Sequence, residues 1–343
     1  MRSLALFAAA AILSASRVHA AEPPVIGYLP AFKGFDDALR RADLHQYTHV
    51  DLAFANPGPS GEFADASGLI CAPAGGGEMV TDERVRALVS KAHEAGAKVL
   101  VSVGGGTIPS CSGDWSTLAA PDNRTKLVAG LVGLVDRYGL DGIDVDLEGV
   151  LMTGMDRDGN YTPLVHDLSM ALRSRSKLLT CATASYVGGM VPDASIPYFD
   201  LIGIMSYDAI GPAWGEPGEE HSSYDRAEKD LALWLGKGVP PQKLALGLPF
   251  YGYGFGSYRP HWALREIEGE LGGKSLQSDV VGQRCPGCNY VTFNGLPTLE
   301  RKARLAGAWG AGVMVWEIEQ DLDDGRAIRA VRAALSQGHA DAR

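Results

Sequence analysis

Eight short apolar runs recur along the chain, each followed by a polar stretch and then by apolar residues spaced three and four apart. They span residues 25–29, 48–54, 98–103, 142–147, 178–184, 201–206, 244–248 and 313–316. The mean spacing of about 40 residues suits a strand, a loop and a returning helix. Most runs are almost continuously apolar, as strands are when both of their faces are covered. Eight such repeats predict a closed parallel (β/α)8 TIM barrel, with an open doubly wound sheet as the alternative. Between the runs, helical patterns at 82–95 and 122–138 end at Gly96 and Gly139, where glycine accepts the left-handed cap. Chemistry in a barrel gathers at the C-terminal ends of the strands. That directs attention to Glu148 after the fourth run and to Tyr207-Asp208 after the sixth.

The first twenty residues stand outside this pattern. Met1-Arg2 gives a positive start, residues 4–13 are apolar, and Val18-His19-Ala20 reads as a small-residue cleavage site. The expected organisation is a signal peptide over 1–20 and a single catalytic domain over 21–343, secreted or periplasmic. No later stretch reaches roughly 18 apolar residues, so no membrane anchor is expected. The net charge is −10, from 31 basic and 41 acidic residues, which argues against a nucleic-acid partner. Five cysteines in an exported chain favour disulfides. Cys285-Pro-Gly-Cys288 reads as a local pair, Cys71 and Cys111 lie in loops that a bridge could join, and Cys181 reads as a core thiol. No metal-ligand cluster and no nucleotide-binding loop is present, so no metal or cofactor is expected. His49, His166 and His221 read as surface or structural residues. Gly104-Gly105-Gly106 reads as a tight strand exit, where the backbone approaches a neighbour closely.

The densest chemistry is Asp141-Gly-Ile-Asp144-Val-Asp146-Leu-Glu148. On a strand, residues two apart share a face, so Asp144, Asp146 and Glu148 line up while Ile143, Val145 and Leu147 pack behind them. Carboxyls this close cannot all ionise normally, so at least one should hold a proton near neutral pH. A protonated carboxylic acid beside ionised ones is what acid-catalysed cleavage of a glycosidic bond requires.

Several separated blocks, taken in order, resemble the family-18 glycoside hydrolases, the chitinase family. They are Val25-Ile-Gly-Tyr28, Thr48 to Ala55, Ser102-Val-Gly104-Gly105, Asp141 to Glu148, Phe199 to Asp208, Leu246 to Gly252, and Gly312 to Glu317. The resemblance implies retaining hydrolysis of β-1,4-linked N-acetylglucosamine chains, with the substrate's own acetamido oxygen as nucleophile. It makes Glu148 the general acid. Asp146 would hold the acetamido nitrogen, Asp144 would share a proton with Asp146, and Tyr207 would donate to the acetamido oxygen. Asp208 would touch the distorted sugar or tune the acid, Met205 would lie under the acetamido methyl, and Trp316 would form the floor for the sugar. Tyr28, Phe54 and Ser102 would line or support the site, and Asp141 would orient the strand end.

Trp115, Trp214 and Trp262 fall in predicted loops, as outer sugar platforms or as loop anchors, while Trp234 and Trp309 read as core. Tyr253 stands where the family often has an arginine. The segment 257–297 reads as a short insertion after the seventh strand, which implies an open cleft and endo action; separately, the protein is expected to be a monomer. The alternatives are an endo-β-N-acetylglucosaminidase acting on the N-glycan chitobiose core, and a glycan-binding lectin on the same barrel.

Overall fold

The computed structural model describes residues 22–71 and 80–342; the expected signal segment lies outside them. Eight strands form a closed barrel: β1 (Val25–Pro30), β2 (His49–Ala55), β3 (Lys98–Gly105), β4 (Gly142–Leu147), β5 (Leu178–Thr183), β6 (Leu201–Ile204), β7 (Leu244–Pro249) and β8 (Gly312–Trp316). Their order around the ring is β1-β8-β7-β6-β5-β4-β3-β2, and every neighbouring pair is parallel. This is the (β/α)8 barrel expected from the eight runs. An all-parallel ring needs its outer face covered, and the intervening helices cover it.

The helices start and stop where local chemistry says they should. In helix Asp82–Glu94, the Thr81 hydroxyl accepts from the Arg84 N–H at 3.4 Å, and Asp82 and Glu83 occupy the positive first turn. Helix Pro121–Tyr138 opens on proline and closes on Gly139 at φ 66°, whose N–H returns to the Val135 carbonyl.

The alternation of side chains along each strand divides the apolar residues into two clusters. Val50, Leu52, Val99, Val101, Ile143, Val145, Leu246 and Val313 belong to the large cluster that packs the sheet against the helices. Ile26, Tyr28, Ala53, Ala245, Met314 and Tyr207 form a separate cluster inside the barrel. Each fully buried aliphatic side chain of the outer cluster contributes on the order of 1.5–3 kcal/mol, so stability is concentrated outside the ring. The interior can therefore hold polar groups, and it does: Asp51, Ser102, Asp144, Asp146 and Thr180 are all buried.

The insertion after β7 differs from its expected limits. It begins at Tyr251, not Ser257, and folds as a four-stranded antiparallel sheet in the order His261–Ala263, Tyr251–Phe255, Tyr290–Thr292, Val280–Gly282, with helix Leu264–Leu271 beside it. The reason is legible in the segment Tyr251-Gly-Tyr253-Gly-Phe255. Aromatics at alternate positions make a second strand, and a Cβ at Gly252 would lie 2.5 Å from the Thr292 carbonyl oxygen. Disulfides join Cys71 to Cys111 and Cys285 to Cys288, and Cys181 is a free, buried thiol. The first ties the loop after β2 to the loop after β3. Among the described residues no helix is long and apolar enough to cross a membrane.

Candidate active site

The acidic segment is strand β4 and its exit. Asp144 and Asp146 point into the barrel with 1% and 3% of their surface exposed, and Glu148 follows as the residue that opens helix Gly149–Arg157. Asp144 is heavily hydrogen-bonded. Its Oδ2 accepts from the Tyr28 hydroxyl at 2.8 Å and the Ser102 hydroxyl at 2.7 Å, and its Oδ1 accepts from Thr180 at 2.6 Å. Burial pushes its pKa up, and these three donors pull it back. Asp146 has no such support: its Oδ1 is buried without a hydrogen-bond partner. Burial, and then the neighbouring carboxyls of Glu148, Asp144 and Asp51, push its pKa well above the usual carboxylate range. Glu148 is pushed up to about 7, first by burial and then by the charge of Asp208.

The glycines of the β3 exit are there because the backbone has no room. Gly104 sits at φ 104°, where an added Cβ would lie 2.5 Å from the Asp146 carbonyl oxygen. Gly105 sits at φ 95°, with an added Cβ 2.8 Å from the ring of Phe54. Close approach of β3 to β4 and to Phe54 thus fixes both positions.

A cavity of about 210 Å³ opens at the mouth of the barrel, walled by Asp146, Glu148, Tyr207, Asp208, Met205 and Trp316 among others. Trp316 forms one side, its ring centroid 5.3 Å from Tyr28 and 5.6 Å from Phe54. A second cavity of about 480 Å³ shares Glu148, Met205, Tyr207 and Asp208 with the first and extends to Trp214, which is 44% exposed. A third, of about 410 Å³, shares Phe54 and Trp316 and runs toward Phe32 and Pro109. Together they make a groove across the C-terminal face, with Glu148 near its middle.

Other expected residues lie elsewhere. Asp141 stands at the opposite end of β4, where its Oδ2 accepts from the Val99 N–H at 2.9 Å and contacts His93 Nε2 at 2.7 Å. Trp262 is not a sugar platform: it is 5% exposed in the inserted sheet, donates to the Arg259 carbonyl at 2.9 Å, and carries the Arg259 guanidinium on its face. Trp115 lies not in a loop but at the start of the short helix Trp115–Ala119, where it is buried and donates to Asn56 Oδ1 at 3.0 Å. Trp234 is fully buried, while Trp309 is partly buried against the same outer core.

Four site residues escaped sequence reasoning. Asp51 is buried inside the barrel from β2, and Thr180 supports Asp144 from β5. Tyr251 donates a short hydrogen bond to Asp208 Oδ1. His221, fully buried, brings its Nδ1 within 3.7 Å of the same oxygen and packs between Tyr251 and Tyr253. Asp208 itself sits at φ 58°, an uncommon backbone for a non-glycine residue. The Trp214 indole donates to its carbonyl at 3.1 Å. A signal was present for Asp51, a lone charge in an apolar strand. None was present for His221, whose neighbours come from the inserted sheet.

The model of the glycosyl hydrolases family 18 matches residues 25–321, nearly all of the described fold. The chain belongs to that family. Over 313 residues it is 28% identical to a chitinase-like effector of Moniliophthora roreri, covering 78% of this chain and 72% of that one. It is 30% identical over 197 residues to a probable chitinase 10 of Drosophila melanogaster, covering 50% of this chain but only 8% of that much longer protein. Among solved structures, the GH18 chitinase ChiB from the chitin utilization locus of Flavobacterium johnsoniae superposes with a TM-score of 0.75 at 28% identity. That match covers 92% of this chain and 94% of the other. This family-18 barrel therefore has relatives described as chitinases and others described as chitinase-like.

Proposed function

We propose that the protein is an exported glycoside hydrolase that cleaves β-1,4-linked N-acetylglucosamine chains with retention, using the acetamido group of the substrate as nucleophile. The observation that carries this reading is Glu148: a carboxyl raised to about 7 that walls the cavity shared with Asp146, Tyr207 and Trp316. Near neutral pH such a group still carries the proton that a leaving glycosidic oxygen needs. Glu148 protonates that oxygen. Asp146, across the same cavity, holds the acetamido N–H and balances the positive charge that develops on the ring-closed intermediate, with the Asp144 charge behind it. Tyr207 donates to the acetamido oxygen, Met205 lies under the methyl group, and the Trp316 face carries the apolar side of the pyranose. Asp208, held by Tyr251, keeps the proton on Glu148. Tyr28, Ser102 and Phe54 shape the inner wall, and Trp214 lines the groove beyond the scissile bond.

Three adjoining cavities open along one face support internal cutting, since a chain can enter from the side. The test is to incubate purified protein separately with chitin oligomers, fully deacetylated oligomers and a high-mannose glycoprotein. Cleavage of the first alone supports the proposal. Comparable cleavage of deacetylated chains contradicts the acetamido nucleophile. Release of the glycan from the glycoprotein points to the N-glycan alternative, and binding without turnover to the lectin. A rapid fall in viscosity of a soluble chitin derivative supports endo action; nearly pure disaccharide from the first minutes refutes it.

A further inference from the structure

We propose that Asp51 is a positioning residue for the Asp144–Asp146 pair: a neutral carboxylic acid whose O–H serves the last free acceptor place on Asp144. The inference rests on the preceding reading in taking the charge of that pair as necessary for turnover and in having Asp146 serve the substrate's acetamido group.

Register places the side chain. Tyr28 of β1 pairs with Asp51 of β2, and in a parallel ladder paired residues point to the same face. Tyr28 points into the barrel, since its hydroxyl reaches Asp144 across the interior. Asp51 therefore points inward too. It is 1% exposed, and its Oδ1 has no hydrogen-bond partner among the described residues. The nearby hydroxyls cannot serve it. A hydroxyl has one proton to give, and those of Tyr28, Ser102 and Thr180 are all given to Asp144.

Among the described residues, the titratable groups around it supply no cation. Tyr28 faces it from β1, Asp144 acts on it from β4, and Asp146 of the same strand lies within its own reach. Cys181 of β5 and Tyr161 lie in the field of the same two aspartates, and Tyr207 in that of Asp146. His49, two residues earlier on the same face of β2, lies toward the end of the barrel near Lys98 and Asp141. A carboxyl in this dry, anionic surrounding keeps its proton, and burial followed by the Asp144 charge acts in that direction.

Acceptor arithmetic then gives the role. An ionised carboxylate offers about four lone-pair places. Three on Asp144 are taken by hydroxyls, so one is left for a protonated neighbour. On the preceding reading Asp146 fills it whenever the two aspartates share a proton. When Asp146 instead serves the substrate's acetamido N–H, the place falls vacant, and the buried, unpartnered Asp51 carboxyl is the group we assign to it. Asp144 then stays ionised through the step in which charge develops on the sugar.

The test compares Asp51→Asn, which keeps a neutral donor of the same shape, with Asp51→Val, which removes the donor but suits a strand. For each, kcat/KM against chitin oligomers is measured from acid to alkaline pH, together with Tm. The expected result is that Asp51→Asn leaves the acidic limb in place, while Asp51→Val moves it up by roughly half to one pH unit, because the Asp144 anion has lost a donor. The inference is overturned if Asp51→Asn moves that limb down, since Asp51 would then carry charge, or if Asp51→Val leaves it unmoved. In parallel, the wild-type carboxyls are titrated by carbon NMR, with Asp51 assigned by difference or by selective labelling. A proton retained on Asp51 above pH 7 supports the inference, and ordinary titration near pH 4 overturns it. That readout stands if both variants fail to fold, and also if the wild type shows no turnover on chitin, in which case the proposed function fails and not the placement of this proton.

Discussion

Replacing Tyr28 by Phe removes one oxygen and leaves the ring that packs against Trp316 at 5.3 Å. The lost bond is the 2.8 Å donation to Asp144 Oδ2. Hydrogen bonds to charged groups contribute about 1.5–3 kcal/mol, and one pKa unit corresponds to 1.36 kcal/mol. The lost donor therefore raises the ionisation of Asp144 by about one to two units, with the lower figure applying because Asp146 shares the proton. The sign is definite: the donor stabilises the anion, so without it Asp144 ionises at higher pH. The acidic limb of kcat/KM should move up by about one unit, while the alkaline limb, set by Glu148, stays in place. Ser102→Ala and Thr180→Val remove the two other donors and should move the same limb in the same direction. The assay is initial-rate hydrolysis of a soluble chitin oligomer across pH, alongside thermal melts. If Tyr28→Phe lowers Tm but leaves the acidic limb where it was, Asp144 does not carry the working charge and the reasoning fails.

Glu148→Gln should fold normally and lose roughly 10²–10⁴-fold in kcat, the usual contribution of a general acid; a tenth or more of the parent rate would remove Glu148 from that role. Asp208→Asn should lower the Glu148 ionisation and move the alkaline limb down by roughly half a unit. The shift stays short of the full elevation because burial outweighs the Asp208 charge, and an upward move in the pH profile would contradict it. Opening the 71–111 disulfide by changing both cysteines to serine should destabilise the fold by about 4 kcal/mol in the chain-entropy account. Urea denaturation measures that loss, and an unchanged midpoint would show that the two loops hold together without the bridge.

The barrel was legible because its strands are buried on both faces and so read as unbroken apolar runs. The segment 142–147 matches β4 to the residue. The acidic segment was legible for a related reason, since charges at alternate positions of a buried strand are too costly to persist without a chemical use. What stayed hidden depends on contacts between distant segments. Tyr251 reads as the tail of β7 until the inserted sheet turns it toward Asp208. His221 reads as a loop histidine until Tyr251 and Tyr253 close over it. Trp262 reads as an exposed loop aromatic, yet strand pairing with Gly252 buries it. Asp51 lies inside a block that carries the family resemblance, yet a carboxyl among valine, leucine and alanine is itself a signal.

The burial of Glu148 also sets a conflict between folding and chemistry. Its folded pKa of about 7 lies above the ordinary 4.5, so the side chain weighs nothing against the fold while it is protonated in both states. It begins to do so as pH rises past 4.5, and reaches its full cost of about 3 kcal/mol above pH 7. A chain that loses this acid by drift would therefore gain robustness at neutral and alkaline pH while keeping the groove, the aromatic floor and the outer core. On such a barrel, loss of this carboxyl is the thermodynamically downhill direction.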